Sequence, residues 1–449
     1  MIKFIGKDDS IVYWLAFHIL LGLISSITIY PLVFWFFLNL IWLIKQVLSF
    51  DLTRNKVSLL CSLSYLSAFE IISRMAKASP IIPYEFTKYF TFAILIVAIN
   101  RERTKPNLGM LIFLLLIPAV FYDLSGEVRP LDIIFNLLGP VNLGLAVWYF
   151  SGLLVNRSQL VFLLRLLILP LVSSLVFTII KTPDYEDLEF VLGANFSTTA
   201  GFGSNQVSTV FGVSFFFVFA SIYLNLKLFR NVLIEYILVS LFLFQGLVSF
   251  SRGGVMGGVI SLFILFIFNF MRRDSSWSFA RFFRLVLAVF VLIFVVIGVN
   301  DLSEGNLFLR YQGETSGTQL GTKALDFNTI TTNRVSIFNQ DISLFNEHPV
   351  LGVGAGASRY LRENNENYVA HIELSRLLAE HGFLGVLVSV LIVSIGFNIY
   401  RGVRKKNQSP LLMAIYILGV FSSFHAATRT FVTPLLLGLS TIKLMENKN

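Results

Sequence analysis

The feature that most constrains this chain is the recurrence of apolar runs long enough to cross a bilayer. A helix rises 1.5 Å per residue, so about 20 apolar residues traverse the hydrocarbon core. Such runs occur at residues 11–29, 31–48, 57–73, 84–99, 108–122, 131–150, 159–180, 206–226, 231–250, 254–271, 282–299, 382–399, 411–424 and 432–444. With 55% hydrophobic residues, 14% charged residues and 46 phenylalanines, the chain carries too little polar surface to cover so many helices in water. The fold class expected is therefore all-α and polytopic, with about 14 transmembrane helices. The only long interruption is polar. It divides the chain into a transmembrane bundle at residues 1–300 of about 11 helices, a loop at 301–381 carrying short amphipathic helices, and about three C-terminal helices at 382–449.

Charge fixes the expected orientation. The loop from 301 to 380 holds 10 acidic and 6 basic residues, or −4, and the remainder holds 29 basic against 16 acidic, or +13. The basic excess sits in alternate short connections, at Arg54 and Lys56, Arg101 to Lys105, Arg157, Lys227 and Arg230, Arg272 to Arg284, and Arg401 to Lys406. That is the positive-inside pattern of a membrane protein and not a nucleic-acid-binding stripe. Both termini are expected in the cytoplasm and the long loop outside, which in a bacterium means an inner-membrane protein with a periplasmic loop. The first run is too long for a cleaved signal and lacks a small-residue cleavage site, so the first helix is expected to be retained. The single cysteine, Cys61, lies in an apolar run and excludes an intrachain disulfide or a thiolate metal cluster.

Within the loop, residues 301–328 place Gly305, Gly313, Gly317 and Gly321 among Ser, Thr and Asn, and irregular backbone is expected. From Thr331, the recurrence of Val335, Phe338, Ile342 and Phe345 predicts an amphipathic helix on the membrane face, capped by Thr331 or Thr332 and stopped at His348-Pro349. Gly352, Gly354 and Gly356 serve either a close backbone approach to a ligand or a tight return of the chain. Without a βαβ unit they are not a dinucleotide fingerprint. A second helix from about Ala370 should continue into the 382–399 span, bent at Gly382, with Arg376 and Glu380 able to pair at i, i+4.

These residues resemble the O-antigen ligase and polymerase superfamily of bacterial envelope glycosyltransferases. Three signatures carry the resemblance: Ser251-Arg252-Gly253-Gly254 at a helix start, Arg334 followed by Phe338 where many relatives have Trp, and His348-Pro349 with Gly352 and Gly354, followed by His371 and Glu380-His381-Gly382-Phe383-Leu384-Gly385. Relatives have Asn after the second histidine. Here Ile372 stands there, which removes any role for the Asn and leaves the His. The resemblance implies a GT-C-like, metal-independent enzyme that needs no cofactor and moves a glycan from undecaprenyl diphosphate to an acceptor hydroxyl with inversion. Its partners would be the undecaprenyl-diphosphate-linked oligosaccharide, membrane lipid and a chain-length regulator protein.

Such a transfer needs a base at the accepting hydroxyl and positive charge on the leaving diphosphate. His371 is the candidate base, because an imidazole titrates near neutrality. Its plainer alternative is a loop histidine bonded to backbone. Arg252 and Arg334 are the candidate diphosphate ligands, because a guanidinium binds phosphate oxygens in pairs and stays charged. The alternatives are a snorkelling interfacial side chain for Arg252 and a solvated helix-end charge for Arg334. Glu70, Arg74 and Lys77 share a helix face, where Arg74 and Lys77 either hold the diphosphate or an acidic sugar, or belong to a structural ion pair. His425 and Arg429 lie between the last two spans at the level of the loop. His18 should be a packed core histidine, His348 should help end a helix, and His381 should lie at the membrane surface. No carboxylate and histidine cluster suits a catalytic metal. Polymerisation of lipid-linked repeat units is the leading reading, from chain length and span number. Ligation of finished glycan to lipid A-core is the first alternative, and a lipid-linked oligosaccharide flippase, which would place paired ionisable groups near the midplane, is the second.

Overall fold

A computed structural model of the chain describes residues 10–48, 56–184, 188–272, 279–362, 372–430 and 432–445. Its helices, in chain order, are α1 (Ile11–Ser25), α2 (Tyr30–Leu48), α3 (Lys56–Met75), α4 (Phe86–Glu102), α5 (Leu108–Leu116), α6 (Pro130–Phe150), α7 (Arg157–Lys181), α8 (Ser204–Leu224), α9 (Val232–Val248) and α10 (Arg252–Met271). They continue as α11 (Phe279–Leu302), α12 (Asn306–Gln312), α13 (Ser316–Gln319), α14 (Phe327–Ile330), α15 (Arg334–Glu347), α16 (Ser358–Leu361), α17 (Glu373–Arg404), α18 (Pro410–Ala426) and α19 (Val432–Ser440). Among the described residues eight helices are long and apolar enough to span a membrane, and Ile11–Ser25, Leu108–Val120, Val232–Val248 and Pro410–Ala426 are shorter apolar helices. The protein is thus all-α and multi-pass, relieved among the described residues only by a two-residue parallel pairing of Leu154–Val155 with Lys443–Leu444.

The chain forms two compact units. The first comprises the described residues within Met1–Thr87, Leu153–Ser316 and Lys443–Asn449, and the second those within Lys88–Gly152 and Gly317–Ile442. In the first unit α7 and α8 are central, with 89% of each apolar window buried, whereas the Phe282–Leu302 stretch is 11% buried at a mean hydropathy of 3.0, as suits a face against lipid. Backbone contact, not side-chain bulk, joins α8 to α10. A Cβ on Gly254 would lie 2.1 Å from the carbonyl carbon and oxygen of Ser208, and one on Gly212 would lie 2.0 Å from the Gly254 oxygen. In a bilayer, where apolar surface gains nothing by leaving lipid, such small-residue seams are how helices approach. Gly254 of the Ser251-Arg252-Gly253-Gly254 signature is therefore a packing residue.

Buried polar groups in this unit find one another. His18 is buried, with Nδ1 2.9 Å from Ser173 Oγ and Nε2 3.2 Å from the Tyr65 hydroxyl, which in turn accepts from Trp35 Nε1 at 2.6 Å. The packed-histidine expectation holds, and Cys61 is buried as well.

Two local expectations are corrected. Residues 301–328 are irregular only in part: α11 runs to Leu302, Asn306–Gln312 is helical between left-handed Gly305 (φ 84°) and Gly313 (φ 104°), and Leu307 and Arg310 are buried on it, whereas residues 320–326 are turn and coil. The glycines there punctuate helices, a reading that composition alone does not separate from disorder. Nor do the threonines cap α15. Thr331 Oγ1 bonds back to the Phe327 carbonyl at 2.9 Å, and left-handed Thr332 (φ 55°) and Asn333 (φ 61°) turn the chain into the helix. The stop at His348 is as expected, with exposed His348 as C-cap. Gly254→Val should lower stability by about 1–3 kcal/mol through overpacking of the α8–α10 seam, visible as an earlier thermal transition in detergent, while Gly298→Ala, where a Cβ meets nothing within 4 Å and the backbone is helical, should shift it far less.

Candidate active site

The second unit is built on a broken helix. α17 is interrupted at Gly382, whose φ of 56° and ψ of −134° are closed to an L side chain, and the break leaves carbonyls of residues 379 and 380 without helical partners. The glycine loop supplies them. The Val353 and Gly354 amides donate to Ala379 and Glu380 at 2.9 and 3.1 Å, and the Phe383 amide donates to Pro349 at 2.7 Å. A Cβ on Gly352 would lie 2.5 Å from the Ala379 oxygen, and one on Gly354 2.3 Å from the Tyr122 oxygen. The close approach required of these glycines is thus to the chain's own backbone. Beneath them Leu344, Val353, Ala357 and Ala379 form a small core with Val128 and Leu361 at its edge. The segment before α6 is set by Asp123, whose carboxylate accepts from the Ser125 amide and hydroxyl and the Val128 amide. Burial pushes that carboxyl up, but these hydrogen bonds outweigh it and hold it below the usual carboxylate range.

Around the break the buried charges are paired. Asp341, fully buried on α15, accepts from Arg362 Nε at 3.0 Å and Nη2 at 2.6 Å, and from Ser375 Oγ at 2.6 Å. This corrects the reading of α15. Its most buried face is Ile337, Asp341 and Leu344, so the stripe of Val335, Phe338, Ile342 and Phe345 is only half-buried. Arg376 does not pair with Glu380. It bonds Glu373, three residues earlier, and reaches the Asn136 carbonyl and the Thr428 hydroxyl, both at 3.3 Å. Glu380 accepts instead from Ser358 Oγ at 2.9 Å. His381 is not at the surface but buried, its Nδ1 without a hydrogen-bond partner among the described residues.

The half-exposed charge gathers at one turn. α18 ends at Ala426, and Ala427 (φ 50°, ψ −146°) throws the chain into the 427–430 turn. Arg334 at the start of α15 places Nη2 3.1 Å from His425 Nδ1 and Nη1 3.5 Å from the Phe424 carbonyl, and Arg429 is half-buried four residues beyond His425. Glu373 ties the first turn of α17 to the same place, accepting from the Thr428 amide at 3.0 Å and hydroxyl at 3.1 Å. Of the candidates, Arg334 and the segment bearing His425 and Arg429 are brought together. His371 lies outside the described residues. Asp341, Arg362, Ser375 and Thr428 were missed. The available signal was an aspartate at helical spacing between Ile337 and Leu344.

Two candidates of the first unit have structural settings. Half-buried Arg252 opens α10 and donates Nη1 to the Arg310 carbonyl at 2.9 Å, while Arg310 reaches the Leu192 carbonyl at 3.3 Å. Arg74 is buried, 3.2 Å from both Glu70 and Glu85, bonded to the Tyr84 hydroxyl at 2.6 Å, and stacked on the Tyr84 and Phe202 rings. Lys77 does not continue that face. α3 ends at Met75, and Lys77 sits beyond it at φ 54°, exposed.

Residues 237–390 match the family model described as O-antigen ligase, from within α9 to within α17. No curated protein matches the chain. The matched stretch contains Arg252, Arg334, His371, the glycine loop and the helix break. Glu373→Gln should cost about 3–5 kcal/mol, because it strands the buried Arg376 charge; paired with Arg376→Met, most of that loss should return, as measured by chemical unfolding. Asp123, held low, contributes stability above the unfolded value near pH 4 and loses it as pH falls through its lower folded value. Asp123→Asn should therefore lower the melting temperature at pH 7 and flatten its decline on acidification.

Proposed function

We propose, from the match of residues 237–390 to the O-antigen ligase family model, that this membrane protein transfers glycan from undecaprenyl diphosphate at the periplasmic face, polymerising O-antigen or a related surface polysaccharide. The observation that carries the reading is the 424–430 turn, to which both Arg334 and the first turn of α17 are fastened. His371, two residues before Glu373 in the chain, is the proposed base. The acceptor hydroxyl attacks the anomeric carbon, and the bond from that carbon to the diphosphate oxygen breaks. The hydroxyl proton passes to the His371 imidazole, and undecaprenyl diphosphate leaves with its charge on arginine. The bonds of Arg334 to the His425 imidazole and the Phe424 carbonyl orient its guanidinium. Arg429, four residues beyond His425, is the second proposed ligand of the diphosphate.

Ligation to lipid A-core is the second reading, favoured by the description of the matched family. A deletion strain separates them: lipopolysaccharide capped with one repeat unit means a lost polymerase, and bare core with accumulated lipid-linked polymer means a lost ligase. With purified protein and lipid-linked substrate, Arg334→Ala should slow transfer by about 10²–10³-fold, or 2.7–4 kcal/mol of transition-state stabilisation, and His371→Ala should abolish pH-dependent turnover. Wild-type rates in both variants would remove the mechanism.

A further inference from the structure

At one end of the first unit the α1–α2 turn and the C-termini of α3 and α7 enclose a polar pocket of about 530 Å³, with walls that include Ser25, Ser26, Thr28, Tyr30, Lys77 and Lys181. Lys77 and Lys181, both exposed, are its lining residues of positive charge. Ser25, one of the lining residues, is 4% exposed, and its Oγ has no hydrogen-bond partner among the described residues. A buried hydroxyl left unsatisfied costs about 1–3 kcal/mol, so its persistence in a pocket wall marks a contact that something entering the pocket would complete. Ser26 Oγ, by contrast, is bonded to the Leu23 carbonyl at 2.7 Å. Three residues before Lys77, Arg74 is sealed by Glu70 and Glu85, so the cationic character of the pocket comes from lysine.

We infer that this pocket binds an acidic sugar residue of the glycan, its carboxylate between Lys77 and Lys181 and a ring hydroxyl on Ser25; this deepens the glycan-transfer reading and rests on it. The volume lies within the range of small-molecule sites. Serine and threonine hydroxyls both donate and accept, which matches a polyhydroxylated ring, and an ammonium is a compact charge suited to a single carboxylate. A guanidinium fork, the better match to a diphosphate, is not among the described lining residues. The competing explanation is that the lysines only offset the partial negative charge of two helix C-termini. That explanation leaves the Ser25 hydroxyl unexplained.

Binding is tested by calorimetry on the full chain in nanodiscs, with a glucuronate-containing tetrasaccharide, a neutral tetrasaccharide of N-acetylglucosamine and inorganic pyrophosphate as probes. The acidic tetrasaccharide should bind and the neutral one should not. Lys77→Ala with Lys181→Ala should weaken binding by about tenfold or more, and Ser25→Ala should weaken it without lowering the melting temperature. Equal binding of the neutral probe, no effect of the substitutions, preference for pyrophosphate, or loss of melting temperature in the lysine variant with binding unchanged would each overturn the assignment. The assay needs no donor lipid. Protein that transfers lipid-linked repeats but ignores the acidic probe therefore refutes the pocket alone, and protein that binds it without transferring refutes the enzymatic reading alone.

Discussion

A carboxylate with no access to water must be met by positive charge and hydrogen bonds, or it neutralises or unfolds its surroundings. Asp341 is the point at which the second unit obeys this rule. It sits fully buried on α15, and meeting its needs draws in Arg362 from the segment after α16 and Ser375 from the first turn of α17. Three stretches of chain separated by more than one loop are thereby held in one register, in which an apolar contact would tolerate sliding. Specificity of this kind is what a buried ion pair contributes even where its net stabilisation is small. The Glu373, Arg376 and Thr428 group extends the arrangement to the turn after α18. Loss of either group would free the start of α17 from the elements that position Arg334.

Much of this was legible in the sequence, and the parts that were not share a cause. Apolar runs announce membrane helices because the period is long and the composition extreme. The bend at Gly382 and the stop at His348 were readable because glycine and proline act through local backbone geometry. Partner choice is different. Arg376 has a carboxylate at i−3 and another at i+4, and intrinsic helix geometry permits both. The Thr428 amide and hydroxyl hold Glu373 in place, while Ser358 takes Glu380, and both decisions are tertiary. Asp341 escaped notice for the same reason, since a pattern of apolar residues counts an aspartate as solvated surface. The glycines of the 301–328 segment misled in the opposite direction, because a C-terminal or N-terminal glycine of a short helix and a glycine of an irregular loop look alike in sequence.

The helix break also explains why a glycine-rich loop need not be a ligand cradle. Broken helices expose carbonyl and amide groups that usually must be met by ions, water or substrate when they lie at membrane depth. Here Val353, Gly354 and Phe383 close the hydrogen bonds, and the glycines are required because any Cβ would collide with the backbone they serve. The loop is therefore part of the frame, and ligand-binding capacity shifts to side chains outside it.

Among those side chains, the nature of each partner decides what an arginine can do. Arg74, Arg362 and Arg376 are buried and bonded to carboxylates; drawing any of them toward an external phosphate would leave a buried anion behind, at a cost of several kcal/mol. Their role is structural whatever their charge suggests. Arg334 and Arg252 are half-buried, and the bonds that orient them run to an imidazole and to main-chain carbonyls. Such partners hold a guanidinium in plane without cancelling its charge. The charge of a bonded partner thus bears on what an arginine can do: Arg74 is fixed between two buried carboxylates, and Arg334 is oriented by an imidazole and a main-chain carbonyl.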